Sequence, residues 1–324
     1  MARAVVLRSH GGPDVLRTET VHVAAPGPGQ VRLRQTAIGV NYHDVYIRDG
    51  SYAGWMALPG VPGVEAAGVV EEVGPGCPLA VGDRVAYITP RYGAYASERL
   101  IEAELLVPLP PFIDDTAAAA SMVKGLTAWL LLHRVHRVGA GDRILVHAAA
   151  GGVGRMLCAW ASRLGAEVIG TVGSPEKAAL AKSSGCHHTI QYREEDFVAR
   201  VAALTGGRGV AVVYDSVGRD TFAGSLACIA PLGHLVSFGQ SSGAADPVAI
   251  AALAARSLTV SRPVVFHYLT DRGALEEAAT ALFGAMRAGI VAANVAGCFS
   301  LDEAPAAHRL LEARGSTGSL LLLT

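Results

Sequence analysis

The segment 143–154 combines residue types and spacing that could bind a dinucleotide. An apolar run leads into a turn of small residues, where Ala149, Gly151 and Gly154 occupy the three positions of the G-x-G-x-x-G fingerprint, with alanine first. Glycine at 151 lets the backbone approach a pyrophosphate, and glycine at 154 lets helix and strand pack closely. The N-terminus of the following helix offers N–H groups and a partial positive charge to phosphates. A tight strand–helix turn without a ligand is the alternative.

The residues at the end of the next strand decide which nicotinamide cofactor fits. An NAD site places Asp or Glu about 20 residues after the fingerprint, where it accepts a hydrogen bond from the ribose 2′-OH. Here that place holds Gly173 and Ser174, and Lys177 follows one helical turn later. An uncharged position followed by a cation suits a 2′-phosphate, so we predict NADPH rather than NADH. Tyr192 could add a hydroxyl group to that phosphate; alternatively, Lys177 is a solvated helix residue and Tyr192 only packs.

Two different patterns of apolar and turn segments along the chain predict the secondary-structure elements that position these residues. Up to about residue 111, short β-rich runs at 4–7, 30–38, 64–73, 84–88 and 105–109 alternate with Gly and Pro turns, which suggests an antiparallel, barrel-like domain. From about residue 117, apolar strands alternate with helix-length segments, which is typical of a parallel sheet with helices on both faces. The predicted pairs of strand and helix are 143–147 with 153–164, 167–172 with 175–183, 188–190 with 194–204, and 210–215 with 221–229, before a strand at 235–238. The tail holds helices at 271–287 and 302–314 and an apolar run at 319–323.

Composition and charge exclude several classes of protein. The 324 residues suffice for about two domains, and a formal net charge of −1 without a basic run argues against nucleic acid as the main partner. The most apolar stretch, 117–132, is interrupted by Lys124 and is shorter than the ~20 residues of a membrane span. An odd number of scattered cysteines, without a close pair, indicates neither a disulfide framework nor a metal knuckle, so we expect a reducing cytoplasm. The cysteines are Cys77, Cys158, Cys186, Cys228 and Cys298.

Several motifs together resemble the zinc-independent, zeta-crystallin-like quinone oxidoreductases of the medium-chain dehydrogenase/reductase superfamily. They lie at 39–48 (GVNYHDVYIR), 63–68 (GVEAAG), 82–86 (GDRVA), 147–154 (HAAAGGVG), 170–174 (GTVGS), 213–218 (VYDSVG), 236–243 (VSFGQSSG) and 261–263 (SRP). The resemblance covers essentially the whole chain, and the motifs are specific as a set although each one alone is weak.

The resemblance implies an α/β fold with a GroES-like, β-rich catalytic domain and a doubly wound Rossmann domain. We expect the catalytic domain to comprise residues 1–120 and 263–324, and the NADPH-binding domain to comprise residues 121–262. It also implies homodimers, for which 258–261 is a candidate sheet edge, and Lys124 is expected to precede the helix that leads into the Rossmann domain. The residues implied to contact NADPH are Asn41, Lys124, Gly152, Val153, Gly173, Lys177, Tyr192, Ser216, Phe238, Gly239, Ser241, Ser242, Arg262 and Arg314.

A departure from the zinc-containing members of the superfamily predicts that no metal is bound. The places of their three catalytic zinc ligands are matched here by Asn41, Val64 and Val123, which cannot form a zinc site. The four-cysteine lobe that binds structural zinc in those members is also missing from this sequence. Glu65 is retained, and we interpret it as a buried, hydrogen-bonded acid rather than a catalytic group.

Without a metal, reduction of an electron-poor acceptor is easier than alcohol oxidation, because a few hydrogen-bond donors suffice for a delocalised charge. Tyr46 and Tyr52 are the candidate catalytic donors, although both could line a pocket wall without transferring a proton. His43 is an alternative donor, or a structurally satisfied histidine. We therefore expect NADPH-dependent quinone reduction. Reduction of the C=C bond of α,β-unsaturated ketones or aldehydes, a structural or RNA-associated NADPH-binding role, and zinc-dependent alcohol oxidation are the alternatives, the last being the weakest.

Overall fold

The computed structural model describes residues 1–313 and 315–324, and these form two compact units. The β-rich unit comprises Met1–Val123, Leu269–Arg287 and Ala292–Thr324. The parallel-sheet unit comprises Lys124–Tyr268 and Ala288–Val291.

Strands dominate the first part of the chain, and strands and helices alternate after it. In chain order they are β1 (Ala2–Leu7), β2 (Leu16–Val21), β3 (Gln30–Val40), α1 (Tyr42–Asp49), β4 (Glu65–Val73), β5 (Arg84–Ile88), β6 (Glu98–Glu102), β7 (Val107–Pro108), α2 (Asp115–Leu130), β8 (Arg143–Val146), α3 (Gly152–Arg163), β9 (Glu167–Val172), α4 (Pro175–Ser183), β10 (His188–Gln191), α5 (Phe197–Thr205), β11 (Val210–Asp215), α6 (Phe222–Cys228), β12 (Ile229–Ser237), α7 (Ala251–Ala254), β13 (Thr259–Ser261), α8 (Arg272–Arg287), β14 (Val295–Ser300), α9 (Ala304–Glu312) and β15 (Ser319–Leu323). Within the described residues, no helix is long and apolar enough to cross a membrane.

The β-rich unit is built on a sheet in the order β14-β15-β3-β4-β5-β7, with β6 also paired to β3 and β1 paired to β2. All its pairs are antiparallel except β14 with β15. Alternate residues of β3, such as Val31 and Leu33, are fully buried in the core of this unit. The C-terminal strand β15 also adds buried leucines to that core. This is the GroES-like architecture that the motifs imply.

The parallel-sheet unit has the strand order β10-β9-β8-β11-β12-β13, and every pair in it is parallel. Counted from β8, this is the order 3-2-1-4-5-6 of the Rossmann fold. Its central strands are apolar and buried because helices cover both faces of such a sheet. The order reverses between β8 and β11, so a ligand is expected outside the carboxyl ends of these two strands. The predicted fold class is therefore confirmed.

The N-capping residues determine where helices α4 and α5 begin, and only the first of these starts was predicted correctly. Helix α4 has the predicted bounds because Pro175 begins it and Ser174 Oγ accepts a hydrogen bond from the backbone N–H of Lys177 at 3.3 Å. The helix predicted at 194–204 begins later, at Phe197, because Asp196 Oδ1 accepts from the N–H of Val198 at 2.8 Å.

One placement expected from the sequence is wrong. Lys124 does not precede the helix that leads into the parallel-sheet unit but lies inside it, because α2 runs without interruption from Asp115 to Leu130. The alanine-rich sequence of α2 favours one continuous helix over a break at the lysine.

Candidate functional site

The turn after β8 has the close packing that the fingerprint requires. Ala148 adopts a φ of 52°, and the N–H of Gly151 donates to Ala148 O at 2.8 Å. A Cβ on Gly154 would overlap Ala148 O and would lie 2.9 Å from Ala149 Cα, so a side chain there would force α3 away from the strand. Gly151 is the N-cap of α3, and the first N–H groups of the helix are therefore directed at this turn.

A lysine side chain packs against the same turn. A Cβ on Gly152 would lie 2.8 Å from Lys124 Cδ, so the aliphatic stem of Lys124 lies against Gly152. Lys124 is itself buried, at 7% exposure. The structure thus brings Lys124 together with Gly152. Val153 follows Gly152 in the first turn of α3.

The tip of β9 meets the tip of β10 at Gly173. A Cβ on Gly173 would lie 2.8 Å from Tyr192 Oη, so the tyrosine hydroxyl group covers this glycine. Ser174 and Lys177 follow in the first turn of α4, where the macrodipole also favours an anion. The predicted 2′-phosphate residues are therefore neighbours, and a glycine stands where an NAD site has a carboxylate.

The remaining predicted residues of the parallel-sheet unit lie together at the carboxyl ends of β11, β12 and β13. Ser241 N donates to Ser216 O at 3.2 Å, and Arg262 Nη1 donates to Gly239 O at 2.7 Å. Ser242 Oγ donates to Val217 O at 2.7 Å. Phe238, Gly239 and Ser216 directly follow their strands, so this edge of the sheet gathers all of these predicted residues. Arg314 lies outside the described residues.

A buried polar network, which the sequence did not indicate, supports the same edge of the sheet. His147 contacts Thr171 Oγ1 through Nδ1 and Ser225 Oγ through Nε2, both at 2.9 Å. Ser225 Oγ in turn donates to Asp215 Oδ2 at 2.8 Å, and Asp215 Oδ1 accepts from the N–H of Gly218 at 3.0 Å. Burial lowers the pKa of His147, which keeps the ring neutral at the base of the loops. The network thus ties β8, β9 and β11 together.

In the β-rich unit, Asn41 and Glu65 form a buried pair. Asn41 Nδ2 donates to Glu65 Oε1 at 2.7 Å, and the N–H of Val123 donates to Glu65 Oε2 at 2.6 Å. A Cβ on Gly39 would overlap the Glu65 carboxylate, so glycine is required beside it. Glu65 therefore orients Asn41, which agrees with its interpretation as a buried, hydrogen-bonded acid.

The two candidate donors, Tyr46 and Tyr52, belong to a group of rings that we call the aromatic cluster: His43, Tyr46, Tyr52, Trp55 and Tyr92. The ring centroids of Tyr46 and Tyr52 are 5.1 Å apart, and Tyr52 stacks on Trp55 with centroids 5.0 Å apart. His43 Nε2 is 2.9 Å from Tyr92 Oη, and burial lowers the pKa of His43 to about 4. Trp55 and Tyr92 were not predicted from the sequence as members of this site. The three-residue spacing from Tyr52 could have indicated Trp55, whereas no local pattern indicates Tyr92.

A second buried network links helix α9 to the N-terminus of α1. Arg48 Nη1 donates to His308 Nδ1 at 3.2 Å, so His308 Nε2 carries the proton and donates to Tyr95 Oη at 3.0 Å. Tyr95 Oη then donates to Asp44 Oδ2 at 3.1 Å, and the same oxygen accepts from the N–H of Asn41 at 2.8 Å. This chain of hydrogen bonds fixes the start of α1, where Asn41 lies.

The network predicts acid sensitivity that originates at His308. Burial, together with the charge of Arg48, lowers the pKa of His308 to about 3. Between pH 6.5 and pH 3 the unfolded chain therefore binds a proton that the folded chain does not. The free energy of unfolding consequently decreases as the pH is lowered through this range. At pH 5 His308 should account for a loss of about 2 kcal/mol relative to pH 7. In urea unfolding at both pH values, His308→Gln should show a loss smaller by that amount.

The exposed His22 provides the matched control for this experiment. His22→Gln should retain the full acid-induced loss of the wild type. Equal losses in the wild type and in His308→Gln would show that His308 is not the group responsible.

Comparisons with known proteins agree with both units. Residues 27–111 match the alcohol dehydrogenase GroES-like domain, and residues 152–283 match the zinc-binding dehydrogenase family. A 2-haloacrylate reductase from a Burkholderia species is 48% identical over 330 residues, covering 100% of this chain and 99% of that protein. A quinone oxidoreductase from Pseudomonas aeruginosa is 45% identical over 328 residues, and the match covers 100% of this chain and 100% of that protein. The chain belongs to the medium-chain dehydrogenase/reductase superfamily. It is an oxidoreductase of the quinone oxidoreductase branch.

A solved structure of this branch shows the same fold. The crystal structure of Escherichia coli quinone oxidoreductase complexed with NADPH has a TM-score of 0.96 at 43% identity, covering 99% of this chain and 100% of that one. The expected membership of the medium-chain dehydrogenase/reductase superfamily is thus confirmed.

The medium-chain dehydrogenase/reductase superfamily includes zinc enzymes, and the residues at the zinc positions can be compared directly. Val64 is buried, and Asn41 and Val123 are both hydrogen-bonded to Glu65. Among residues 1–313 and 315–324, no three His, Cys, Asp or Glu side chains are grouped so that they could hold a metal ion. The prediction that the protein binds no zinc stays a prediction.

Proposed function

We propose that the protein uses NADPH to reduce uncharged quinones by hydride transfer, without zinc. The parallel-sheet unit supports the choice of cofactor. The residues proposed to contact the pyrophosphate are Ala149, Gly151, Gly152, Val153 and Gly154, with Lys124 beside them. The absence of a side chain at Gly173, together with Lys177 and Tyr192, supports a 2′-phosphate rather than a free 2′-OH.

The other predicted contacts to the cofactor are assigned within each unit. In the β-rich unit, Asn41, held by Glu65, is a proposed contact to NADPH. In the parallel-sheet unit, the proposed contacts are the residues of the loop edge: Ser216, Phe238, Gly239, Ser241, Ser242 and Arg262. When bound, NADPH supplies a hydride to the acceptor. The residues of this chain hold NADPH and the acceptor in the orientation that hydride transfer requires.

The ion pairing of the two arginines nearest the aromatic cluster in the sequence favours an uncharged acceptor, and this observation carries the proposal. The arginines next to the cluster in the sequence, Arg48 and Arg91, form ion pairs of 2.7 Å with Glu312 and Glu102. Since both guanidinium groups are already paired, they are poorly placed to bind an anionic acceptor. A quinone needs no cation, and its flat ring suits a wall of tyrosine rings.

Tyr46 and Tyr52 are proposed to form this wall rather than to act as acids. Tyr46 is 9% exposed, and its ring lies against that of Tyr52. We expect Tyr46→Phe and Tyr52→Phe each to lower kcat for quinones less than tenfold, because the rings remain. A general acid would instead contribute about 10²- to 10⁴-fold, so a loss of that size would assign proton transfer to the tyrosine.

A second candidate function is the reduction of an activated C=C bond. The 48% identity to a 2-haloacrylate reductase favours it. Both reactions need the same hydride donor and differ in the acceptor. A haloacrylate is a carboxylate, so the paired arginines argue against that particular substrate and leave uncharged α,β-unsaturated ketones and aldehydes as the alternative.

The experiment is a comparison of kcat/KM for three acceptors with NADPH. The acceptors are 1,4-benzoquinone, 2-cyclohexenone and 2-chloroacrylate. We expect 1,4-benzoquinone to have the highest value and 2-chloroacrylate the lowest. Turnover of 2-cyclohexenone alone would establish the second candidate, and preference for 2-chloroacrylate would contradict the inference from charge.

We also propose a homodimer that pairs through β13. This strand is at the edge of the parallel sheet, and its Val260 is 36% exposed. An unpaired edge of this kind can extend into the sheet of a second copy. Light scattering should give twice the chain mass of 33.4 kDa, and Val260→Lys should shift the mass toward that of one chain.

A further inference from the structure

We propose that Asp215 is a positioning residue for the cofactor edge of the parallel-sheet unit. Its carboxylate fixes the loop after β11, and that loop in turn fixes the loop after β12. The inference rests on the proposed function and adds a residue that acts on NADPH only through other residues. The proposed NADPH contacts in these two loops are Ser216, Phe238, Gly239, Ser241 and Ser242.

The carboxylate of Asp215 is completely buried and accepts hydrogen bonds from backbone and side-chain donors. Oδ1 accepts from the N–H of Val217 at 2.8 Å and from the N–H of Gly218 at 3.0 Å. Oδ2 accepts from Thr221 Oγ1 and from Ser225 Oγ, both at 2.8 Å. A buried carboxylate needs such donors, and these belong to the loop after β11 and to the start of α6. The carboxylate therefore fixes the path of this loop.

The loop after β12 is held by the loop after β11 through backbone contacts. The N–H of Ser241 donates to Ser216 O at 3.2 Å, and the N–H of Ser242 donates to Val217 O at 2.8 Å. A Cβ on Gly239 would lie 2.7 Å from Ser216 O, so the two backbones also pack closely there. A displacement of the first loop therefore displaces the second.

The same carboxylate determines which nitrogen of His147 carries the proton. Because Ser225 Oγ donates its proton to Asp215, it accepts from His147 Nε2, which lies 2.9 Å away. Burial lowers the pKa of His147 and keeps the ring neutral, so Nδ1 is unprotonated and accepts from Thr171 Oγ1 at 2.9 Å. The direction of every hydrogen bond in this network thus depends on an acceptor without a proton at position 215.

The two loops belong to one half of the parallel sheet. In a Rossmann domain the two halves of a dinucleotide bind on either side of the point where the strand order reverses, which lies here between β8 and β11. The proposed 2′-phosphate residues Gly173 and Lys177 follow β9, on the other side of that point. We therefore expect Asp215 to affect binding of the nicotinamide nucleotide but not binding of the adenosine 2′-phosphate.

The experiment measures dissociation constants for NADPH and for 2′,5′-ADP, which lacks the nicotinamide nucleotide. In Asp215→Asn the side chain keeps its size, but an NH2 group replaces one acceptor oxygen. Kd for NADPH should rise at least about tenfold because the loops lose a charged acceptor, and Kd for 2′,5′-ADP should stay unchanged. Thr221→Val removes a single donor and should show a smaller loss of the same kind, so it replaces Asp215→Asn if that variant does not fold.

Asp142→Asn provides the matched control. Asp142 Oδ2 also accepts from a backbone N–H, that of Gly139, at 2.8 Å, but it lies directly before β8, at the amino end of the strand. Its substitution should change neither dissociation constant. Equal losses for NADPH and 2′,5′-ADP in Asp215→Asn, or no loss for NADPH, would overturn the positioning role.

The ring nitrogens of His147 give a spectroscopic test. In Asp215→Asn the carbonyl oxygen of the new side chain should keep the two backbone N–H groups, so that its NH2 group donates to Ser225 Oγ. Ser225 Oγ should then donate to His147 Nε2, and the ring proton should move to Nδ1. The NMR chemical shifts of the ring nitrogens report this change, and a retained Nε2–H ring would overturn the assignment of the protons.

Hydrogen exchange tests the positioning role without any nucleotide. In Asp215→Asn the backbone amides at 217–218 and 241–242 should exchange about tenfold faster, because their loops open more easily. Unchanged exchange would overturn the role of Asp215. If the wild type binds neither NADPH nor 2′,5′-ADP, the proposed function alone fails, and the exchange rates still decide whether Asp215 fixes the two loops.

Discussion

Gly154→Ala is expected to lower the affinity for NADPH at least about 100-fold and to destabilise the parallel-sheet unit by about 3 kcal/mol. The added Cβ would overlap Ala148 O and lie 2.9 Å from Ala149 Cα, and both are backbone atoms that cannot rotate away. Helix α3 must therefore move off β8, and the N–H groups at its first turn then lose their position. Binding is measured by the fluorescence of bound NADPH, and stability by urea unfolding.

A matched glycine separates this steric effect from that of an added methyl group. Gly284 lies within α8 and is exposed, and a Cβ there would meet nothing within 4 Å. Gly284→Ala should leave NADPH affinity unchanged and raise stability by about 0.5–1 kcal/mol, because alanine favours a helix over glycine. If Gly154→Ala bound NADPH as tightly as Gly284→Ala, the fingerprint turn would not be the pyrophosphate site.

Gly173→Asp should reverse the preference between the two cofactors. A carboxylate at the tip of β9 would repel a 2′-phosphate and would accept a hydrogen bond from a ribose 2′-OH. The new Cβ would come 2.8 Å from Tyr192 Oη, but Tyr192 is 42% exposed and its side chain can move aside. We expect NADPH affinity to fall about 100-fold, or about 3 kcal/mol, while NADH affinity is maintained or rises.

Lys177 should contribute to the same preference with a smaller effect. Lys177→Ala is expected to weaken NADPH binding about tenfold and to leave NADH binding nearly unchanged, since one charge-assisted contact is lost. Lys182, an exposed lysine in the last turn of the same helix, serves as the control, and Lys182→Ala should affect neither cofactor. Equal losses for NADPH and NADH in Lys177→Ala would refute its role at the 2′-phosphate.

The parts of the fold that the sequence predicts well are those with strong local signals. The strands at 167–172 and 210–215 have the predicted bounds because they are mainly apolar and lie between turn residues. Strands β2 and β6 were not predicted, because LRTETV and ERLIE are rich in charged residues and are only partly buried. Their pairing partners, β1 and β3, are what make them strands.

The residues of the candidate site likewise include some that local sequence patterns indicate and others that only the fold brings together. The glycine turn and the residues around Gly173 follow from spacing along the chain, whereas the buried networks do not. His308 is 213 residues from Tyr95 and 260 residues from Arg48 in the sequence, and only the fold brings these residues into contact. Tyr92 likewise joins His43 across 49 residues, so neither periodicity nor a motif could indicate it.

The most direct test of the proposed cofactor site is a titration of the wild-type protein with NADPH and NADH under identical conditions. We predict that NADPH binds at least about tenfold more tightly, because Gly173, Lys177 and Tyr192 favour the additional phosphate. Tighter binding of NADH, or no measurable binding of either cofactor, would contradict this prediction.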